Sequence, residues 1–187
     1  MRLLTALMAC LLMAPAALQA QGQDLPAPPD GYSWEKCSDI DGALLRPDSW
    51  SFRRVATDGS LSYYLTPKAW EPPAPLGTGF TLSVFFNVPA KFGRPPAEFA
   101  RGFIENAKRI YGGEELGTSA MGPLEGQSVT YLGKGNTAET KFFNRIAAND
   151  ETGTVFLVVF EGPQASWESD WKTIEPTIQQ IVFGEGY

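Results

Sequence analysis

The sequence predicts an α+β fold: a central antiparallel sheet of about six strands flanked by helices on both faces, an α/β/α sandwich. Three observations lead there. The run TGFTLSVFFNVP, Thr78 to Pro89, carries no charge over twelve residues in a chain that is 19% charged. In extended backbone, alternate side chains share a face, so Phe80, Leu82, Val84, Phe86 and Val88 form one apolar row. The segment RPPAEFARGFIENAKRIYGG (Arg94 to Gly113) reads as an amphipathic helix. Short β-rich segments separated by turn residues then follow, closed by a second helical stripe.

Taken in order, YSWEKC (Tyr32 to Cys37) begins the domain as an extended piece. DIDGALLRPDSW (Asp39 to Trp50) is turn-rich, with Pro47 and Asp48 before the first clear strand. WSFRRVAT (Trp50 to Thr57) and LSYYL (Leu61 to Leu65) are strands joined by the Asp-Gly turn of DGS. Leu61, Tyr63 and Leu65 share one face. TPKAWEPPAPLG (Thr66 to Gly77) holds four prolines, which forbid regular pairing and favour extended backbone. Trp70 in its middle is either an anchor packing the loop onto the body or an exposed contact. The anchor is favoured, because an exposed Trp costs solubility.

The Thr78–Pro89 run is next, read as one long strand. Its second face is covered at least in part, and Ser83 and Asn87 are placed to line a pocket there. In the helix that follows, Pro95 or Pro96 suits the first turn, and Glu98 suits the positive end of the helix dipole. Phe99, Phe103, Ala107, Ile110 and Tyr111 make the apolar stripe. Arg101–Glu105 and Glu105–Arg109 are i,i+4 pairs, and Gly112 and Gly113 stop the helix. QSVTYLG (Gln127 to Gly133), ETKFFNRIAA (Glu139 to Ala148) and TVFLVVFEG (Thr154 to Gly162) are strands, with GKGN and NDETG as turns. Val155 to Phe160 is apolar on both faces, as in a central strand. Finally, Trp167, Trp171, Ile174, Ile178 and Ile181 mark a helix over Ser166 to Phe183, with Ser166 as N-cap. Pro176 predicts a kink or two helical pieces.

The 187 residues suit one domain plus a leader. Residues 1–20 read as a signal peptide: Arg2, an apolar Leu3 to Leu12 too short to span a bilayer, and cleavage after Ala20. Residues 21–30 read as a flexible Pro-rich tether, and 31–187 as the domain. The expected compartment is the periplasm. The alternatives are secretion, or a lipoprotein anchored through Cys10, since LMAC resembles a lipid-attachment box. After cleavage one cysteine remains, so no internal disulfide can form. Cys37 is a reactive thiol, an intermolecular bridge or a small buried apolar residue, the last being favoured.

Several signals in order resemble the PsbP/Mog1-like family. GYSWEKC…RPDSW looks like its early strand. TLSVFFNVPAKFGRPPAEFARGFI looks like its long strand running into a proline-started helix. QSVTYL with ETKFFNRIAA looks like its middle hairpin, and VFLVVFEGPQASWESDW like its last strand and C-terminal helix. The resemblance covers about Gly31 to Phe183. It implies a central antiparallel sheet flanked by helices and a non-enzymatic accessory or binding role. Members include photosystem subunits, a nuclear transport factor and bacterial envelope proteins. Metal contacts in the photosynthetic branch involve histidine, which this chain lacks. Neither a metal site nor photosystem binding carries over.

The absence of histidine also removes the common serine and cysteine triads and most transition-metal sites. A net charge of −6 with no basic run argues against nucleic acid. DIDG fails the calcium-loop pattern, GKGN lacks phosphate-loop spacing, and GGEELG (Gly112 to Gly117) has no nucleotide fingerprint. No catalytic residue, metal ligand or cofactor is named. Three readings remain: an exported accessory protein contacting another envelope protein, a module binding a small apolar or amphipathic ligand, and a carboxylate-dependent hydrolase, for which Glu161 and Glu168 are candidate acids. The contact candidates are Trp70 as a loop contact, with Tyr64 and Asn87 as pocket polar groups.

Overall fold

A computed structural model describes residues 25–134, 139–184 and 186. Its frame is α+β. Among the described residues nine strands form the sheets: β1 (Tyr32–Cys37), β2 (Gly42–Pro47), β3 (Ser51–Thr57), β4 (Ser60–Thr66), β5 (Gly79–Phe85), β6 (Glu114–Met121), β7 (Leu124–Lys134), β8 (Glu139–Asn149) and β9 (Thr154–Pro163). The helices are α1 (Val88–Phe92), α2 (Pro96–Tyr111) and α3 (Trp167–Gln179). Seven strands make one antiparallel sheet in the order β3-β4-β5-β9-β8-β7-β6, and β1 pairs with β2 in a separate ribbon.

Two strands depart from the expectation. β6 adds a seventh strand at one edge. It is exposed along nearly its whole length and bulged between Glu115 and Gly117, so it carries no hydrophobic alternation to betray it. β2 occupies part of the stretch expected as turn-rich. Its Ala43, Leu44 and Leu45 are buried, and Ala43 exchanges two 3.0 Å backbone hydrogen bonds with Val182.

The sheet has a helix layer on each face. Phe80, Leu82 and Val84 from β5, Phe156, Val158 and Phe160 from β9, and Phe143 and Ala147 from β8 form one core with Trp167, Ile174 and Ile178 of α3. The β1–β2 ribbon completes that layer, tied to α3 by a hydrogen bond from Tyr32 Oη to the Thr173 carbonyl at 2.8 Å. On the other face, Val129, Ile146 and Val155 pack with Val88 and with Ala100, Ile104 and Ala107 of α2.

The long strand ends sooner than its alternation predicts. Asn87 adopts a left-handed conformation (φ 54°) and turns the chain into α1. Val88 therefore joins the core of the α2 face, opposite the Phe80–Val84 row it was expected to extend. Phe86 lies beyond the strand and is half-buried against the α3-face core. In α2, Pro96 holds the first position and Gly112 closes the helix at φ 64°. The buried stripe is Ala100, Ile104 and Ala107, of which the expected stripe contained Ala107. Ile110 and Tyr111 are exposed. Small alanines let the helix approach the sheet, and the bulky Phe99 and Phe103 flank the contact. Arg109 donates to Asn106 Oδ1 at 2.8 Å, and no Arg101–Glu105 or Glu105–Arg109 ion pair forms among the described residues.

α3 runs as one element through Pro176 and does not break into two pieces. Ser166 stands at its N-cap position without a capping bond; its Oγ donates to Asp170 Oδ2 at 2.7 Å instead. Ile181 lies past the helix and is still buried. The NDETG turn is an Asx turn, with Asn149 Oδ1 accepting from the backbone N–H of Glu151 and Thr152. The leader, its cleavage site, Cys10 and the first tether residues lie outside the described residues, as do Gly135 and Asn136 of GKGN. The Pro26 carbonyl accepts from Trp34 Nε1 at 2.8 Å, so the last tether residues lie beside β1. Among the described residues no helix is long and apolar enough to cross a membrane.

Candidate functional site

Tyr64 sits in β4 with its side chain on the α2 face, paired across the ladder with Thr81 of β5 and Arg53 of β3. The Pro-rich loop after Thr66 folds back over this corner. The Trp70 ring lies 4.8 Å from the Tyr64 ring, tilted by 41°. Trp70 Nε1 donates to the Ala74 carbonyl at 2.7 Å, which closes the loop on itself. Arg53 holds it from the sheet, donating to the Trp70 carbonyl and to Glu71 Oε1. Leu76 covers Gly79, where an added Cβ would come within 2.9 Å of the leucine side chain. Trp70 is half-buried, while residues 67–69 and 71–75 are exposed. A cleft of about 270 Å³ under the loop is lined by Thr66, Pro67, Lys68, Ala69, Trp70, Leu76 and Thr78. Pockets for drug-sized ligands run to roughly 300–1,000 Å³. A wider depression of about 530 Å³ runs along the exposed, charged side of α2 between Arg94 and Glu105.

Two of the three contact candidates thus meet, Trp70 and Tyr64. The third, Asn87, is exposed and sits past the Phe85 end of β5, whereas Tyr64 faces Thr81 nearer its start. Glu161 and Glu168 do not form a carboxylate pair. Glu161 lies on the α2 face of β9, in register with Phe142, while Glu168 is exposed on α3, across the sheet. Asp39 of DIDG accepts from Arg54 Nε at 2.7 Å and from Tyr63 Oη at 3.1 Å. The guanidinium beside it holds its carboxyl below the usual range. Cys37 is fully buried, and burial pushes its thiol up to about 12. A thiol so poorly ionised is a weak nucleophile.

Sequence reasoning named Glu161 only as a candidate acid and passed over its neighbours in the middle of the α2 face. Tyr131, Phe142 and Glu161 stand side by side on β7, β8 and β9. Tyr111, from the end of α2, stacks on Tyr131 at 4.7 Å, and Tyr131 stacks on Phe142 at 5.0 Å. Burial pushes up both the Tyr131 hydroxyl and the Glu161 carboxyl. Asn144, 1% exposed, lies beside Tyr131, and its side-chain contact opposes the rise of that hydroxyl. One signal was available: a glutamate continuing the Leu157–Val159 face of a central strand. Among the described residues no cluster of three or more His, Cys, Asp or Glu could hold a metal ion.

No protein-family model matches this sequence, and no curated protein does. Solved structures similar to it include LpqN, involved in cell envelope biogenesis of Mycobacterium tuberculosis. It covers 82% of this chain and 91% of its own, at 13% identity and TM-score 0.49. A cyanobacterial PsbP from Synechocystis covers 89% and 99%, at 9% identity and TM-score 0.46. PsbP belongs to the family that the sequence motifs resemble. A Bacteroides thetaiotaomicron protein covers 78% of this chain at 14% identity and TM-score 0.43, and the match spans only 46% of that protein. No residue role in this chain follows from these likenesses.

Proposed function

We propose that this is an exported, non-catalytic accessory protein of a bacterial envelope that acts by contact with another envelope protein, and that the Pro-rich loop is its contact element. One observation carries the reading. The loop is shaped by its own anchor, the Trp70–Tyr64 ring pair and the Trp70 Nε1 bond to Ala74, yet most of its residues face solvent. A loop ordered before it meets a partner loses little conformational entropy on binding, which is the advantage of preorganisation. Trp70 serves the contact by holding Pro67–Ala69 and Glu71–Pro75 in place. Export rests on the leader and its short apolar run.

The test is affinity capture of the mature chain from its native envelope, followed by mass spectrometry, with two loop variants beside the wild type. Lys68→Glu reverses an exposed charge and is expected to leave melting unchanged while the captured partner disappears. Trp70→Ala removes the anchor and is expected to cost about 1–2 kcal/mol, one aromatic contact and one hydrogen bond, and to lose the same partner. Capture of the same protein by both variants would refute the loop as the contact. A small apolar or amphipathic ligand is the second reading, favoured by the half-buried Leu157 and Val159 on the α2 face of β9.

A further inference from the structure

The line of α2 that meets the sheet is uneven. Ile104 fills its middle, but the end nearer the N-terminus offers only Ala97 and Ala100. The ring of Phe99 is engaged elsewhere, packed on Phe85 and Phe92. On the sheet, Thr118 of β6 stands opposite Gln127 of β7, and Gln127 opposite Ile146 of β8. Glu125 and Ala148 follow two residues along on the same face. Short side chains from the helix and short or polar ones from the sheet do not meet, and a cavity of about 190 Å³ stays open between them. Its helical wall is fixed, because the Ala97 N–H donates to Asp150 Oδ1 in the β8–β9 turn at 2.9 Å. The cavity lies toward the β6 edge of the sheet, far from the Pro-rich loop at the β3–β4 edge.

Its walls carry one charge of each sign, Arg101 from the helix and Glu125 from the sheet. Among the described residues the two do not pair with each other or with any other charged group. That includes Glu98 and Glu105, which border the neighbouring depression with Arg101. Thr118 and Gln127 make no side-chain hydrogen bond among the described residues and can serve a guest. An ion of one sign would leave one wall charge unanswered, and a neutral guest would leave both. A zwitterion answers both, and complementary charge is what gives a polar site its selectivity. Ile146, 1% exposed, supplies an apolar floor beside Ala100 and Ala148. The space equals the share of roughly six waters, well below the roughly 300–1,000 Å³ of a drug-sized pocket, so the guest is compact.

We propose that the cavity between the first turns of α2 and strands β6 to β8 binds a free α-amino acid with a small aliphatic side chain. Arg101 takes the carboxylate, for which its planar fork is suited. Glu125 takes the ammonium, and the side chain rests on Ile146 under Ala97 and Ala100. The site is independent of the loop contact: Lys68 and Trp70 take no part in it.

The test titrates the intact mature protein with L-valine, with 3-methylbutanoate, which lacks the ammonium, and with isobutylammonium, which lacks the carboxylate. Binding is read by NMR shift changes and calorimetry. Valine is expected to bind, with shifts centred on Ala97, Ala100 and Ile146, and each analogue to bind about tenfold more weakly or worse, the loss of one charge-assisted bond. Arg101→Gln and Glu125→Gln change exposed side chains without partners, so both are expected to melt with the wild type and to weaken valine by a similar factor. Each variant should also erase one preference: Glu125→Gln that for valine over 3-methylbutanoate, Arg101→Gln that for valine over isobutylammonium. Lys68→Glu should bind valine as the wild type does. No saturable valine binding, equal binding of valine and both analogues, or unchanged binding in the two cavity variants would each overturn the proposal.

Discussion

The sheet presents two faces built on different terms. Toward α3, the central strands β5, β8 and β9 contribute large apolar side chains: Phe80, Leu82 and Val84 are fully buried, and Phe160 lies 4.9 Å from Trp167, which stacks on Trp171 at 5.7 Å. Toward α2, the same strands contribute Ser62, Tyr64, Thr81, Ser83, Asn144 and Glu161, and the helix covers only part of them. Ser62 and Ser83 satisfy each other at 2.9 Å. The difference teaches where stability and recognition sit. One face holds the fold together, and the other keeps polar groups and aromatic surface near solvent. Each change below breaks or sharpens that contrast.

The largest effect is expected at Trp167. Trp167→Ala empties a site 5% exposed, between Phe160 and Trp171 and under Lys141. The expected loss is about 3–5 kcal/mol in urea unfolding, transfer and cavity costs together. A loss under one-third of that would mean the α3 face is less tightly sealed than its geometry implies.

Glu161→Gln should act in the opposite direction. The folded-state pKa of Glu161 is raised by burial. Its stabilising contribution is therefore complete below the ordinary carboxylate pKa and is lost as pH rises through the raised value. Gln imitates the neutral acid. The variant should melt with the wild type near about pH 4 and above it near about pH 8, on either side of a raised carboxylate pKa. Equal melting at both ends would mean the carboxylate is well solvated.

The smallest effect belongs to Cys37. With its thiol buried and pushed up to about 12, it should stay unmodified by a thiol reagent in the native protein and react once denaturant opens the α3 face. Prompt modification at neutral pH would show that this core breathes.

The contrast was partly legible in the sequence. Alternation in Phe80 to Val84 and in Phe156 to Phe160 marked the sealed face, because apolar rows in extended chain have few other uses. β6 escaped because an exposed edge strand needs no alternation, and β2 because Pro47 and its flanking turn residues hid three buried apolar side chains. The α2 stripe was drawn through Ala107 but otherwise through large rings, whereas Ala100 and Ile104 complete the buried line and the small alanines set the helix-to-sheet distance. The meeting of Trp70 with Tyr64 could be named residue by residue but not placed, since it depends on how a loop of four prolines returns to the sheet. Tyr131, Phe142 and Glu161 come from three strands whose register no local pattern encodes.

Val158 and Val159 put the contrast to its most direct test. They are the same residue type, adjacent on one strand, and face opposite layers: Val158 is 0% exposed and Val159 half-buried. Measured by urea unfolding, Val158→Ala is expected to cost about 2–3 kcal/mol, two methyl groups and the cavity they leave, and Val159→Ala about 1 kcal/mol or less. Equal costs at the two positions would contradict a sheet with one sealed face and one open one.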